Sequence, residues 1–295
     1  LVLALGSVQD THGSAGIARC GLSISGLDEA IATRARVSTL ASDGGILGVV
    51  GGGTTGIEAA TELAETHPNL RVRLFTAGEF GGWLAPKARR HLRDTFARMK
   101  IEVRDGATVT DFHSDEVVLA DGETVHVDAM LRTTGFTAPQ IASKAGIAVD
   151  ADGRAIVDAT MRSASHPDMY VVGDAAAARR PDGQRLRMAC ATALPTGMLA
   201  ADAIVDRLSG RDPRTLRFRY YAQCLSLGRR DGLVQPVDAD DHPLRTILVG
   251  RSAARVKEYI VRGAALTARC PGMYRLLRGF AASSVTEPGP GALIA

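Results

Sequence analysis

Ile46-Leu47-Gly48-Val49-Val50-Gly51-Gly52-Gly53-Thr54-Thr55-Gly56-Ile57-Glu58-Ala59-Ala60 is the stretch that decides how this chain reads. It opens on five residues without charge, the pattern of a strand buried on both faces of a parallel sheet. Gly51, Gly53 and Gly56 then spell G-x-G-x-x-G, and a helical run from Ala59 to Glu65 follows. Gly51 permits a tight turn out of the strand, Gly53 lets a diphosphate approach the backbone, and Gly56 lets the helix lie close to the sheet. Free N–H groups and the helix dipole at that start favour a doubly charged diphosphate. Arg71-Val72-Arg73-Leu74-Phe75-Thr76 supplies a second strand at the expected distance, so the unit reads as β-α-β and binds a dinucleotide. A merely glycine-rich turn is the competing reading, and the flanking strand and helix weigh against it.

Outside this unit the composition sets bounds. With 295 residues the chain has length for two or three domains, each with a core. Hydrophobic residues at 45% and charged residues at 23% are those of a globular protein in water. A net charge of +3 gives no argument for nucleic acid. Cys20, Cys190, Cys224 and Cys270 contain no C-x-x-C, which excludes a local redox dithiol or zinc knuckle and fits a reducing, cytoplasmic setting. The seven histidines lack ligand spacing, so no metal is assigned. No apolar run approaches the roughly 20 residues that span a bilayer. Leu1 stands where Met would, and Leu1 to Leu5 already reads as a buried strand without a charged leader, so the expectation is a chain whose start is missing.

Working outward, a polar, irregular loop is expected from Gly6-Ser7 to about Gly26, then a helix over Leu27 to Leu40. Pro86 to Met99 reads as a helix whose basic residues, Lys87, Arg89, Arg90, Arg93 and Arg98, form a solvated face rather than a phosphate site. Ile101 to Val103 reads as a third parallel strand, Val117 to Val127 as a hairpin, and Ala129 to Thr134 as a return to the sheet ending at Gly135. Met169 to Val172 is a short strand delivering Gly173-Asp174 at its carboxyl end, where ligands of open α/β sheets bind. Taken alone, a plain Gly-Asp turn is the better reading there. A helix is expected over Met198 to Leu208, and from about Arg211 aromatic and basic residues mark a last domain with a disordered tail.

The order of these motifs carries a resemblance. Ala-Leu-Gly-Ser at 4–7, the fingerprint with Gly56-x-Glu58, Thr133-Thr134-Gly135-Phe136 and Val171-Val172-Gly173-Asp174 together resemble the pyridine nucleotide–disulfide oxidoreductase superfamily. Lacking C-x-x-C, the chain is more similar to its type II NADH dehydrogenases and apoptosis-inducing-factor-like members. The resemblance implies an α/β fold of two Rossmann-like dinucleotide-binding domains plus a small C-terminal domain. The FAD domain would be discontinuous with its first part missing: 1–40, then an NAD(P)H domain over 41–132, the FAD remainder over 133–210, and the last domain over 211–295. It implies FAD and NAD(P)H as cofactors and hydride transfer from NAD(P)H to flavin, with electrons passed to an acceptor. Gly51, Gly53, Thr54, Gly56 and Glu79 would contact NAD(P)H. Gly6, Ser7, Gly173 and Asp174 would face FAD, with Asp174 on the ribityl chain, and Gly135 would be a further cofactor-binding residue. Glu58 would be the catalytic carboxylate near the nicotinamide; a charge complementing the helix dipole is the alternative.

Three departures temper those expectations. No FAD fingerprint precedes Leu1. The second strand ends in Thr76 rather than a ribose-binding acid, leaving NADH and NADPH open. The glutamines associated with quinone are replaced around Cys190 to Gly197, leaving quinone open as acceptor beside a small molecule or a ferredoxin-like partner. Val256 to Leu266 and Met273 to Phe280 set arginines among apolar residues, as a helix lying on a membrane's inner face would; packing over the flavin or a homodimer contact is the preferred reading. A flavin-free, nucleotide-sensing module is the rival of a different class.

Overall fold

The computed structural model describes residues 1–10 and 15–270. The chain begins with β1 (Val2–Leu3), β2 (Val8–Gln9), α1 (Ala15–Cys20) and α2 (Leu27–Ser42). Next come β3 (Ile46–Val50), α3 (Thr54–Thr66), β4 (Arg71–Phe75), α4 (Pro86–Arg98) and β5 (Glu102–Arg104). β3, β4 and β5 pair in parallel, as the uncharged run and its alternating successor require. β6 (Val109–His113), β7 (Glu116–Leu119) and β8 (Thr124–His126) form an antiparallel sheet, and β9 (Ala129–Arg132) rejoins β3 to give the order β5-β4-β3-β9.

Strand periodicity explains how this sheet is covered. Leu47 and Val49 face one side, where α2, α3 and α4 contribute Val37, Leu40, Ile57, Ala60, Leu92 and Phe96. Ile46 and Val50 face the other, covered by Phe112, Val117 and Leu119 of the antiparallel sheet and Ile17 of α1. Ile57 is fully buried, and its burial is worth about 2–3 kcal/mol.

The remaining elements are β10 (Phe136–Thr137), α5 (Ile141–Lys144), β11 (Tyr170–Val171), α6 (Cys190–Leu208), β12 (Ala222–Ser226), β13 (Gly232–Pro236), β14 (Leu248–Val249) and α7 (Gly250–Arg269). β1 pairs with β11 in parallel, and β2 with β10 antiparallel, so the first ten residues are held by segments more than a hundred residues away. β12, β13 and β14 make an antiparallel sheet whose Leu225, Leu227 and Leu233 join the core of the parallel sheet.

Several expectations need correction. The loop expected before Gly26 contains β2 and α1, whose six residues are held by packing of Ile17 rather than by helical periodicity. β6 was not anticipated; it pairs with β7 through an irregular register at Val109 and Asp111 that blurs the alternation. α6 starts at Cys190, eight residues before the expected Met198, and carries Pro195 inside it. A proline there removes only the bond to the carbonyl of Ala191, an exposed residue. The basic face of α4 is not simply solvated: Arg89 pairs with Glu79, Arg93 with Asp105 and Arg98 with Asp231. The tail read as disordered and the apolar run Met273 to Phe280 lie outside the described residues.

Candidate functional site

The turn between β3 and α3 is built as its glycines require. Gly51 has φ +123°, and a Cβ there would meet the Thr133 carbonyl oxygen at 2.9 Å. Its N–H donates to the Phe75 carbonyl at 2.9 Å. A Cβ on Gly56 would stand 1.9 Å from the Gly51 carbonyl oxygen, so the helix can approach the loop only through glycine. Thr133 closes the back of the turn, donating its hydroxyl to the Val50 carbonyl at 2.8 Å. Gly53 is exposed at the helix start with open space beside it, and no side chain caps the first turn of α3. N–H groups of that turn therefore remain available to an anion.

Thr76, at the end of β4, lies against the loop: a Cβ on Gly52 would be 2.4 Å from its hydroxyl. Glu79 is exposed and 2.5 Å from Arg89, so its charge is already countered. Thr54 stands exposed beside Gly53.

A second group assembles from three distant segments. Val172 donates its N–H to the Leu3 carbonyl at 3.0 Å, aligning the ends of β1 and β11. Beyond those ends, Gly6 and Gly173 adopt φ +64° and +66°. The Ser7 hydroxyl donates to Oδ2 of Asp174 at 2.7 Å, whereas Oδ1 of Asp174 is buried without a hydrogen-bond partner. Gly173 donates its N–H to the Thr196 hydroxyl at 3.0 Å, tying the turn to α6. Gly6, Gly173 and Asp174, with Cys190, Leu194 and Met198 of α6, line a largely apolar cavity of about 780 Å³.

Two routes connect the groups. Gly135, with φ +44°, follows β9 directly after Arg132 and Thr133 at the glycine turn, and its carbonyl accepts the N–H of Asp10 at 3.2 Å. The second route runs through Glu58. Its carboxylate accepts the N–H of Ser226 at 2.9 Å and pairs with Lys257 of α7 at 3.0 Å. Lys257 also donates to the Cys224 carbonyl at 2.9 Å. Burial pushes the Cys224 thiol up, while the Lys257 charge pulls it down and the nearby Cys190 and Glu58 push it further up. Glu58 and Cys224 are thus joined through Lys257, while Cys190 belongs to the cavity wall.

Glu58 lies on the face of α3 that meets the C-terminal sheet, and its carboxylate is paired there. Glu62 and Glu65 continue that face of α3. Glu62 pairs with Arg229 at 2.6 Å, and Glu65 accepts the Arg229 N–H. Asp231 forms a further clamp, meeting His91, Thr95 and Arg98 of α4 and the N–H of Gly250. Burial alone would raise the Asp231 carboxyl, but the His91 charge and the N–H and hydroxyl donors outweigh it and hold it below the usual carboxylate range.

Sequence reasoning assigned no role to Lys257, Ser226 or Thr196, and took Thr133 only as part of a motif. Lys257 carried no local signal, because in an amphipathic helix a lysine reads as surface charge. Asp238, Asp240 and His242 bring three donor atoms within 4.8 Å of one another, in an open turn where Asp238 already accepts the N–H groups of Asp240 and His242. No helix among the described residues is long and apolar enough to cross a membrane.

Comparison with known proteins places this geometry. An NADH dehydrogenase-like protein of Mycobacterium tuberculosis is 28% identical over 247 residues, covering 77% of this chain and 61% of the relative. Demethylphylloquinone reductase NdbB of Synechocystis is 25% identical, covering 79% of this chain and 60% of that protein. The chain thus spans about three fifths of the length of these two relatives. NDH2 of Plasmodium falciparum, solved in complex with NADH, superimposes with a TM-score of 0.74 at 11% identity, over 88% of this chain and 73% of that one. The family described as pyridine nucleotide-disulphide oxidoreductase matches residues 1–197. With the glycine turn, the Gly-Asp wall and the family match spanning both, the chain belongs to the pyridine nucleotide-disulphide oxidoreductases.

Proposed function

We propose that this chain is the NAD(P)H-oxidising part of an FAD-dependent dehydrogenase whose electrons leave to a quinone or another small acceptor. The observation that carries the reading is the orphaned Oδ1 of Asp174, whose other oxygen accepts from Ser7 and whose residue lines the 780 Å³ cavity.

The residues present fit a flavin. A buried acceptor without a donor is costly, and a ribityl hydroxyl supplies the missing donor. Gly173 and Asp174 both line the cavity, and a Cβ on Gly173 would meet Ala193 of α6 at 3.4 Å. Gly6, Ser7 and Gly135 would hold the same cofactor, whose isoalloxazine supplies the two-electron chemistry when bound. Gly51, Gly53, Thr54 and Gly56 would hold the nicotinamide nucleotide's diphosphate against the start of α3.

Glu58 and Lys257 have a positioning role in this reading. They fasten α3 to α7 and β12, which fixes the approach of the nicotinamide to the cavity and excludes water. Lys257 uses two of its three donors on Glu58 and Cys224, leaving one for a developing negative charge. A quinone acceptor is favoured by α7, which exposes Val256, Tyr259, Ile260, Val261 and Leu266 alongside Arg255 and Arg262, as a helix resting on a lipid surface does.

Reconstitution tests the proposal. The chain is incubated with FAD, desalted and treated with NADH under anaerobic conditions. Retained yellow colour that bleaches on NADH addition is expected, with Asp174→Ala retaining flavin about tenfold less well while NADH affinity holds. A chain that stays colourless, or an Asp174→Ala variant that retains flavin as well as the parent, refutes it.

A further inference from the structure

A second cleft, remote from the glycine turn, opens where the β12–β13 turn meets the first turns of α7. It has a volume of about 530 Å³ and is lined by Arg229, Arg230, Arg251, Ala254, Arg255 and Glu258. Four guanidiniums and one carboxylate give the cleft a net charge of +3, as much as the whole chain carries.

The pairing of these charges is uneven. Arg229 is fixed by Glu62 through both Nε, at 2.8 Å, and an Nη nitrogen, at 2.6 Å, and serves as a rigid wall. Glu258 is drawn to Arg262 at 2.7 Å. Among the described residues Arg230, Arg251 and Arg255 are exposed and have no hydrogen bond or ion pair. Arg251 and Arg255 lie four apart on α7, where like charges repel. They also occupy the first turns of a helix of 20 residues with no acidic residue in its first turn and no side-chain cap. Cations at that end oppose the helix dipole. Fold stability gives no reason to gather three unpaired cations there, whereas an anion would relieve every one of these repulsions.

We propose that this cleft binds a phosphate-bearing anion, with Arg230, Arg251 and Arg255 as its ligands. Guanidiniums recognise phosphate oxygens in bidentate fashion, and the cleft has room for a diphosphate or for the phosphoryl headgroup of a lipid. The site shares no residue with the glycine turn or the Asp174 cavity, so it stands or falls independently of the proposed hydride transfer; Arg255 alone also belongs to the α7 surface invoked for a quinone acceptor.

The test compares the full chain with the triple variant Arg230→Ser, Arg251→Ser, Arg255→Ser. None of the three side chains is buried or paired, so the variant's melting temperature should be unchanged or higher. In one arm inorganic pyrophosphate is titrated calorimetrically with NADH present to occupy the glycine turn. In the other, phosphatidylcholine vesicles with and without phosphatidic acid are tested by flotation. Pyrophosphate binding that weakens at least about tenfold in the variant assigns the cleft to free phosphate anions. Flotation only with phosphatidic acid, lost in the variant, assigns it to a lipid headgroup. Absence of binding in both arms, or binding that the variant keeps, overturns the proposal.

Discussion

Replacing Gly53 with serine separates the architecture of the glycine turn from its use. Gly53 is the N-cap of α3, with φ −77° and ψ −178°, a conformation any residue adopts, and open space lies beside it. Serine is a strong N-cap, so its hydroxyl should satisfy one of the free N–H groups and leave stability equal or raised by about 0.3 kcal/mol, the small margin of serine over glycine at that position. The added Cβ and hydroxyl would, however, stand where the diphosphate approaches the backbone. Loss of that approach and competition for the N–H groups should weaken NADH binding at least tenfold, about 1.4 kcal/mol. Gly56→Ala is the contrasting case. Its Cβ would start 1.9 Å from the Gly51 carbonyl oxygen and must reach at least 3.4 Å, which displaces backbone rather than a flexible side chain. Overpacking of that kind costs about 1–3 kcal/mol, against roughly 1 kcal/mol returned by the helix propensity of alanine. Gly56→Ala should therefore lose stability and NADH binding together. Thermal melting and titration of NADH fluorescence read both quantities. Undiminished NADH affinity in a well-folded Gly53→Ser protein would refute the placement of the diphosphate.

Other perturbations test neighbouring parts. Lys257→Met removes the cation between Glu58 and the Cys224 carbonyl but leaves Ser226 bonded to Glu58; reduction of an acceptor by NADH should slow at least tenfold while NADH affinity changes little. Thr76→Asp puts a carboxylate against the glycine loop, where it would accept from ribose hydroxyls and repel a 2′-phosphate. The ratio of NADH to NADPH affinity should rise about tenfold, corresponding to roughly 1–2 kcal/mol of repulsion. The clamp at Asp231 should be read in acid. Because its folded pKa is held below the unfolded value, its contribution is complete above the unfolded carboxylate range and is lost as pH falls through the folded value. Asp231→Asn should thus lower stability at neutral pH and flatten the acid limb of the melting profile.

Local chemistry made much of this protein legible. The run Ile46 to Val50, the glycines at 51, 53 and 56 and the strand from Arg71 determine a β-α-β unit because each constraint lies within a few residues of its cause. Gly173-Asp174 read locally as a plain turn, and only the order of motifs along the chain pointed to it as part of a site. What Glu58 does was not readable. Its partners, Ser226 and Lys257, lie 168 and 199 residues away, and a carboxylate's role follows from the charges packed against it. The state of the Asp174 carboxylate, with Ser7 on one oxygen from across the fold and the other oxygen buried without a partner, was likewise not readable. α6 begins before Pro195 because the removed bond falls on an exposed residue, and α1 persists at six residues because Ile17 is buried under the sheet. Propensity acts over one or two helical turns; pairing of distant charges, satisfaction of buried oxygens and closure of cavities depend on which segments meet, and the tertiary structure alone decides that.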